Sequence, residues 1–173
     1  MPLYALGAIE PQIDPEAWVH PEATIIGNVI IGAGSTIWPQ AVLRGDQSGI
    51  VIGARTSIQD GAVIHCTRSL ETHVGDDCTV GHLAHLEGCT VESGSLVGTG
   101  SIVLHRAIVR TGALVGAAAL VPGGMEVPAG AMALGVPAKL RLDSVEPDMI
   151  THPASEYVRN WGRYREEMRL LEG

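Results

Sequence analysis

VESGSLVGTGSIVLHRAIVRTGALVGAAALVPGGMEV, residues 91–127, carries an aliphatic residue at every sixth position: Val91, Val97, Val103, Val109, Val115, Val121 and Val127. Two positions before most of these sits a small residue, Cys89, Ser95, Ser101, Ala107, Ala113 and Ala119. A helix buries residues with a period near 3.6 and a two-layer sheet with strict alternation over irregular lengths, so neither gives a sustained period of six. A parallel β-helix does, because each short face points one branched aliphatic inward and leaves room beside it only for a small residue. Three such faces close one coil of about eighteen residues.

The period extends upstream through Val19, Ile25, Ile31, Ile37 and Leu43, then Ile52, Ile58 and Ile64, then Val74, Val80 and Leu86. Small residues accompany these too, among them Ala23, Ser35, Ala41, Thr56, Ala62, Cys78 and Ala84. The expected fold is an all-β solenoid, a left-handed parallel β-helix of hexapeptide repeats over residues 1–140. Residues 141–173 form a linker and a C-terminal α-helix of the same domain. Tyr157, Trp161, Tyr164, Met168 and Leu171 follow one another at helical spacing, and this apolar stripe is expected to pack on the β-helix. Thr151 or Ser155 is the expected helix cap.

Composition agrees with this architecture. The 173 residues include no Phe, 22 Gly and 10 Pro, as suits an aliphatic interior with many corners. A net charge of −8 without any basic run argues against a nucleic-acid partner. No apolar stretch is long enough to cross a membrane as a helix. Three cysteines cannot all pair within one chain, and no charged-then-apolar leader precedes Met1-Pro2-Leu3-Tyr4, so a reducing cytoplasm is the simplest compartment. Cys78 and Cys89 occupy small inward positions, where packing accounts for them.

Two register breaks interrupt the series. Leu43 to Ile52 ejects three residues from Arg44-Gly45-Asp46-Gln47-Ser48-Gly49, and Ile64 to Val74 ejects four around Cys66-Thr67-Arg68-Ser69-Leu70-Glu71-Thr72-His73. Loops thrown from a rigid solenoid are common seats of function. Counting three faces per coil stacks Arg44, His65 and Glu87 at one corner, about 4.8 Å apart, and Gln59, Asp60 and His82 at another. Two corners of one triangle lie roughly 20 Å apart. His82 therefore cannot share a metal with His65 of its own chain, but could with His65 of a neighbour packed around a threefold axis. Outward histidines on such a fold are more often solvated than ligating. The company of Arg44, Asp46, Gln59 and Asp60 beside both loops shifts that balance for His65 and His82. His20, His105 and His152 lack such company and read as surface residues, while His73, at the end of the second loop, is intermediate.

These residues resemble the γ-class carbonic anhydrases and their hexapeptide-repeat relatives. The matching pieces are Leu43-Arg44-Gly45-Asp46, Ile58-Gln59-Asp60-Gly61 with His65 five residues after Asp60, Val80-Gly81-His82, and the less specific Gly135-Val136-Pro137-Ala138-Lys139. The resemblance implies a homotrimer with one divalent metal per subunit interface, zinc before iron or cobalt, bound by His65 of one chain and His82 of the next. The family's third ligand is a His where this chain has Glu87. Either Glu87 ligates directly, or His85, about 6.6 Å away along the strand, swings in. The implied activity is reversible hydration of carbon dioxide to bicarbonate, slowed by an anionic ligand. Gln59 would orient the hydroxide or substrate, Asp60 accompanies it in the site, and Arg44 and Asp46 would pair between subunits. Glu71 and His73 are the candidate proton shuttles. Two other classes fit the same fold: a coenzyme A-dependent acyltransferase with His65 or His82 as base, and a non-catalytic trimeric assembly subunit.

Overall fold

A computed structural model describes residues 2–146 and 148–171. The chain winds as a left-handed parallel β-helix, and its short strands stack into two sheets of 12 and 8 strands. Two of the three faces belong to the larger sheet, because strands Thr24–Ile31 and Val42–Ile52 run on from one face to the next. Consecutive coils superpose residue on residue, Leu43 on Ile64 on Leu86 on Val103 along one face and Ile37 on Ile58 on Val80 on Val97 along another.

The periodic aliphatics are the core. Ile25, Ile37, Leu43, Ile58, Ile64, Val80, Leu86, Val97, Val103, Val109, Val115, Val121 and Val127 are all fully buried. Alongside them lie the small residues Ala62, Ala84, Ala107 and Ala113 and the unpaired thiols of Cys66, Cys78 and Cys89. Burial pushes the Cys78 thiol up to about 11 and the Cys89 thiol up to about 12, which keeps both protonated and unreactive.

The first register break is a bulge. Gly27 pairs with Gly45 and Val29 with Ile50, so residues 46–49 face Asn28 alone, and the Asn28 side-chain amide donates to the Ser48 carbonyl at 2.7 Å. The second lies between strands Val63–His65 and Thr72–Val74. Thr67 Oγ1 receives the Leu70 N–H inside that loop at 3.1 Å.

The C-terminal helix spans Asp148–Glu167 and lies over strands Thr36–Ile37, Ser57–Ile58 and Thr79–Val80. That cover explains why the outward residues Thr36, Ser57 and Thr79 are buried. Trp38 sits between sheet and helix, donating its indole N–H to Thr36 and Ser57 hydroxyls, with Tyr157 and Tyr164 edge-on to its ring. Two expectations need correction here. The helix begins at Asp148, whose carboxylate suits the positive end of the helix dipole, so Thr151 is interior to the helix and not its cap. Ser155 also lies within the span, and its side chain, like that of His152, lies outside the described residues. The helix stops before Met168 and Leu171, which are exposed, so the packed stripe is shorter than its sequence pattern.

Candidate metal centre

Two corners of the β-helix carry the polar side chains. At the first, Arg44, His65 and Glu87 are register partners on consecutive coils. His65 is held from both sides: its Nδ1 lies 3.0 Å from Glu87 Oε1 and its Nε2 2.9 Å from Asp46 Oδ1. With its side chain only 14% exposed, its ring orientation is set by those two carboxylates. Arg44 pairs with the other oxygen of Asp46. Arg44 and Asp46 pair within the single chain, because residues two apart on a strand project to the same side.

Burial would raise the carboxyls of Asp46 and Glu87, yet both are held below the usual carboxylate range. His65 and Arg44 do this for Asp46, and His65, His105 and His85 for Glu87. Beneath this corner the buried Thr72 hydroxyl donates to the His65 carbonyl and accepts the Gly88 N–H at 2.8 Å, tying two coils together. Cys66 completes a group with Asp46 and His65 whose ligand atoms lie within 4.8 Å of one another. Its thiol is fully buried and donates to the Arg44 carbonyl, so it faces the core while the imidazole and carboxylates face out.

At the second corner His82 lies between an acid and a phenol. Its Nδ1 is 3.0 Å from Asp60 Oδ2 and its Nε2 is 3.2 Å from the Tyr157 hydroxyl. Gln59 is buried beside them and hydrogen-bonds to Tyr157. Burial and the Asp60 carboxylate raise the Tyr157 phenol above its ordinary value, against that hydrogen bond from Gln59. Glu71 and His73 pair with each other at 2.9 Å on the exposed side of strand Thr72–Val74.

Sequence reasoning passed over three residues. His105, read as a lone surface residue, has its Nε2 3.5 Å from Glu87 Oε2, the same oxygen that lies 3.5 Å from His85 Nε2. A step of one coil from Glu87 reaches Leu104, and His105 is the next residue, so coil counting could have flagged it. Thr72 gave no signal beyond its place in a loop, and Tyr157 read only as one residue of a packing stripe. Asp46, His65 and Cys66 are the described residues whose ligand atoms converge at this corner, and imidazole with carboxylate is a donor pair that zinc, iron or cobalt accept.

The known proteins similar to this chain agree with the architecture. The bacterial transferase hexapeptide (six repeats) model matches residues 10–45. A hexapeptide transferase family protein from Anaplasma phagocytophilum is 34% identical, covering 94% of this chain and 98% of its own, with a TM-score of 0.90. A Bacillus cereus protein described provisionally as an acetyltransferase is 33% identical over 96% of this chain and 98% of its own, with a TM-score of 0.92. The chain belongs to the hexapeptide-repeat family of these transferases. It is also similar to the mitochondrial gamma carbonic anhydrase 3 of Arabidopsis thaliana, 45% identical over 95 residues, which are 51% of this chain and 37% of that protein. The match thus spans little more than a third of that relative's length. Among the described residues no helix is long and apolar enough to cross a membrane.

Proposed function

We propose that this chain hydrates carbon dioxide reversibly as a homotrimer, with one divalent cation, zinc before iron or cobalt, at each subunit interface. His65 and Glu87 of one subunit and His82 of the partner subunit would hold it. The observation that carries this reading is the hold of Asp46 on His65: Asp46 Oδ1 lies 2.9 Å from Nε2, which turns the other ring nitrogen, Nδ1, toward Glu87 Oε1 at 3.0 Å. Carboxylates that orient an imidazole in this way are a usual companion of metal-ligating histidines. The similarity to a gamma carbonic anhydrase supports the same chemistry.

A cation held there supplies a Lewis acid that makes water nucleophilic near neutral pH. Asp60 fixes the tautomer of His82 by engaging Nδ1, which leaves Nε2 as the nitrogen to offer. In the single chain Tyr157 occupies that Nε2, so the helix must release it on assembly. Gln59 would orient the substrate from its buried position, Arg44 and Asp46 keep His65 in place, and the exposed pair Glu71 and His73 would pass the proton to solvent. Because Glu87 is anionic, it lowers the effective charge of the centre, and hydration is expected to be slower than at a three-imidazole site. Three unpaired buried thiols suit a reducing compartment such as the cytoplasm.

Replacing His82 with Ala should abolish carbon dioxide hydration in a stopped-flow assay of the metal-loaded protein. Hydration kinetics unchanged by that substitution would refute the reading. The Asp60–His82 pair favours a second one, in which His82 acts as a general base for acyl transfer from coenzyme A without a metal. Calorimetric titration with coenzyme A separates the two: saturable heat supports acyl transfer, and none supports the hydratase.

A further inference from the structure

The turn that carries His82 is built unlike its neighbours. Gln40, Gly61, Leu83, Gly100 and Ala118 stand at the same turn of successive coils, each in left-handed backbone at φ 55–66°. Glycine suits that conformation and a bulky side chain does not. Leu83 is the one large apolar residue in left-handed backbone among the described residues, it is 69% exposed, and it directly follows His82. Its side chain leans over bare Gly61, where a Cβ would lie 2.7 Å from Leu83 Cδ2. A second apolar residue stands uncovered near the other corner: Val63, stacked between Val42 and His85 and two residues before His65, is 39% exposed. We propose that Leu83 of one subunit packs on Val63 of the partner subunit, and that the face between the two corners is where subunits of this chain join. This rests on the reading that His82 of one subunit meets His65 of another.

Each subunit carries its two corners on opposite edges of one face, His82 before strand His85–Glu87 and the His65–Glu87 stack at its end. Three subunits that meet unlike corner to unlike corner must turn that face toward the threefold axis. Its outward residues Val42, Val63, Ile102 and Leu120 follow one another up the coils as an apolar column interrupted at His85. Neither other face offers this. The C-terminal helix covers Thr36, Ser57 and Thr79 on one, and the other carries the ion pairs of His73 with Glu71 and of Arg110 with Glu92 and Glu126. Val63 and His65 project to the same side, about 6.6 Å apart along their strand, and Leu83 follows His82 at about 3.8 Å between Cα atoms. A subunit whose His82 reaches His65 of its partner therefore brings Leu83 within reach of the partner's Val63. Contact between the two takes both exposed side chains out of water, which favours association.

The test is sedimentation equilibrium of the wild type, of Leu83→Asp, of Val63→Lys and of the variant carrying both, each checked for folding by circular dichroism. Ile30→Asp serves as control, since Ile30 is 40% exposed but lies on the face that carries His73. The expected result is a trimer for the wild type and for Ile30→Asp, association at least about thirtyfold weaker for each single variant, and recovery of the trimer when Asp and Lys are present together. A trimer undisturbed by Leu83→Asp or by Val63→Lys overturns this inference and leaves the proposed hydratase standing, and so does a double variant that fails to recover. A wild type that sediments as a monomer overturns both. A trimer that follows the expected pattern but hydrates no carbon dioxide keeps the interface and overturns the hydratase. Should either charged variant fail to fold, Leu83→Gly, whose new residue suits the left-handed backbone, and Val63→Ala take their places, and unweakened association in either then overturns the inference.

Discussion

The coils over residues 91–133 and those over residues 40–90 are built on one repeat and differ in what they leave outside. In the later coils the step between stacked residues is the plain eighteen, as in Leu96 to Leu114 and Ile102 to Leu120. In the earlier coils Val42 stacks on Val63 and Val63 on His85, because the ejected loops lengthen each turn. The inward faces of both stretches are equally buried. Stability thus comes from the part that repeats, and the paired imidazoles and carboxylates lie mostly where the repeat is broken, with His105 reaching Glu87 from the first of the later coils. The later coils carry their own charge ladder, Arg110 with Glu92 and Glu126, but it lies on the exposed surface without an imidazole.

The comparison breaks most completely at the core. Val109→Asp would bury an unpaired carboxylate at a cost of several kcal/mol or more, comparable with the ~5–15 kcal/mol that holds a domain together, and should give no cooperative unfolding transition in urea. In the earlier coils Thr72→Val keeps the volume but leaves the His65 carbonyl and the Gly88 N–H without their partner. A loss of about 1–3 kcal/mol for each unpaired group is expected from the urea midpoint. Gly88→Ala should cost about 1–2 kcal/mol for its left-handed backbone. Its new Cβ would also press on Leu70 and His105 at 3.1 and 3.3 Å, so the His105 ring signals should shift in an NMR spectrum.

Charge separates the two stretches more gently. Asp46 and Glu87 titrate below their unfolded values, so the stability they add is fully present above the ordinary carboxylate pKa of about 4 and is lost as pH falls through their lower folded values. Glu87→Gln should therefore flatten the acid limb of a stability-versus-pH curve measured by circular dichroism. The smallest effect belongs to Glu126, which Arg110 holds below the usual range on the open surface. High salt should return its titration toward the ordinary value in an NMR experiment, while Glu87, packed among imidazoles, moves less.

The solenoid, its faces and the stacking of Arg44 on His65 on Glu87 and of Asp60 on His82 were legible in the order of residues. A period of six is a local property, and repeating it many times leaves one register that buries every Val and Ile together. Which side chains meet at the corners depends on how neighbouring coils pack. There the chain turns through left-handed residues such as Gly88 and Arg106, and a ring's direction depends on coils above and below that lie far away in sequence. That is why His105 joins Glu87, why Arg44 closes on Asp46 within its own chain, and why Tyr157, one residue of an apolar stripe, reaches His82 once the helix has covered Thr36, Ser57 and Thr79.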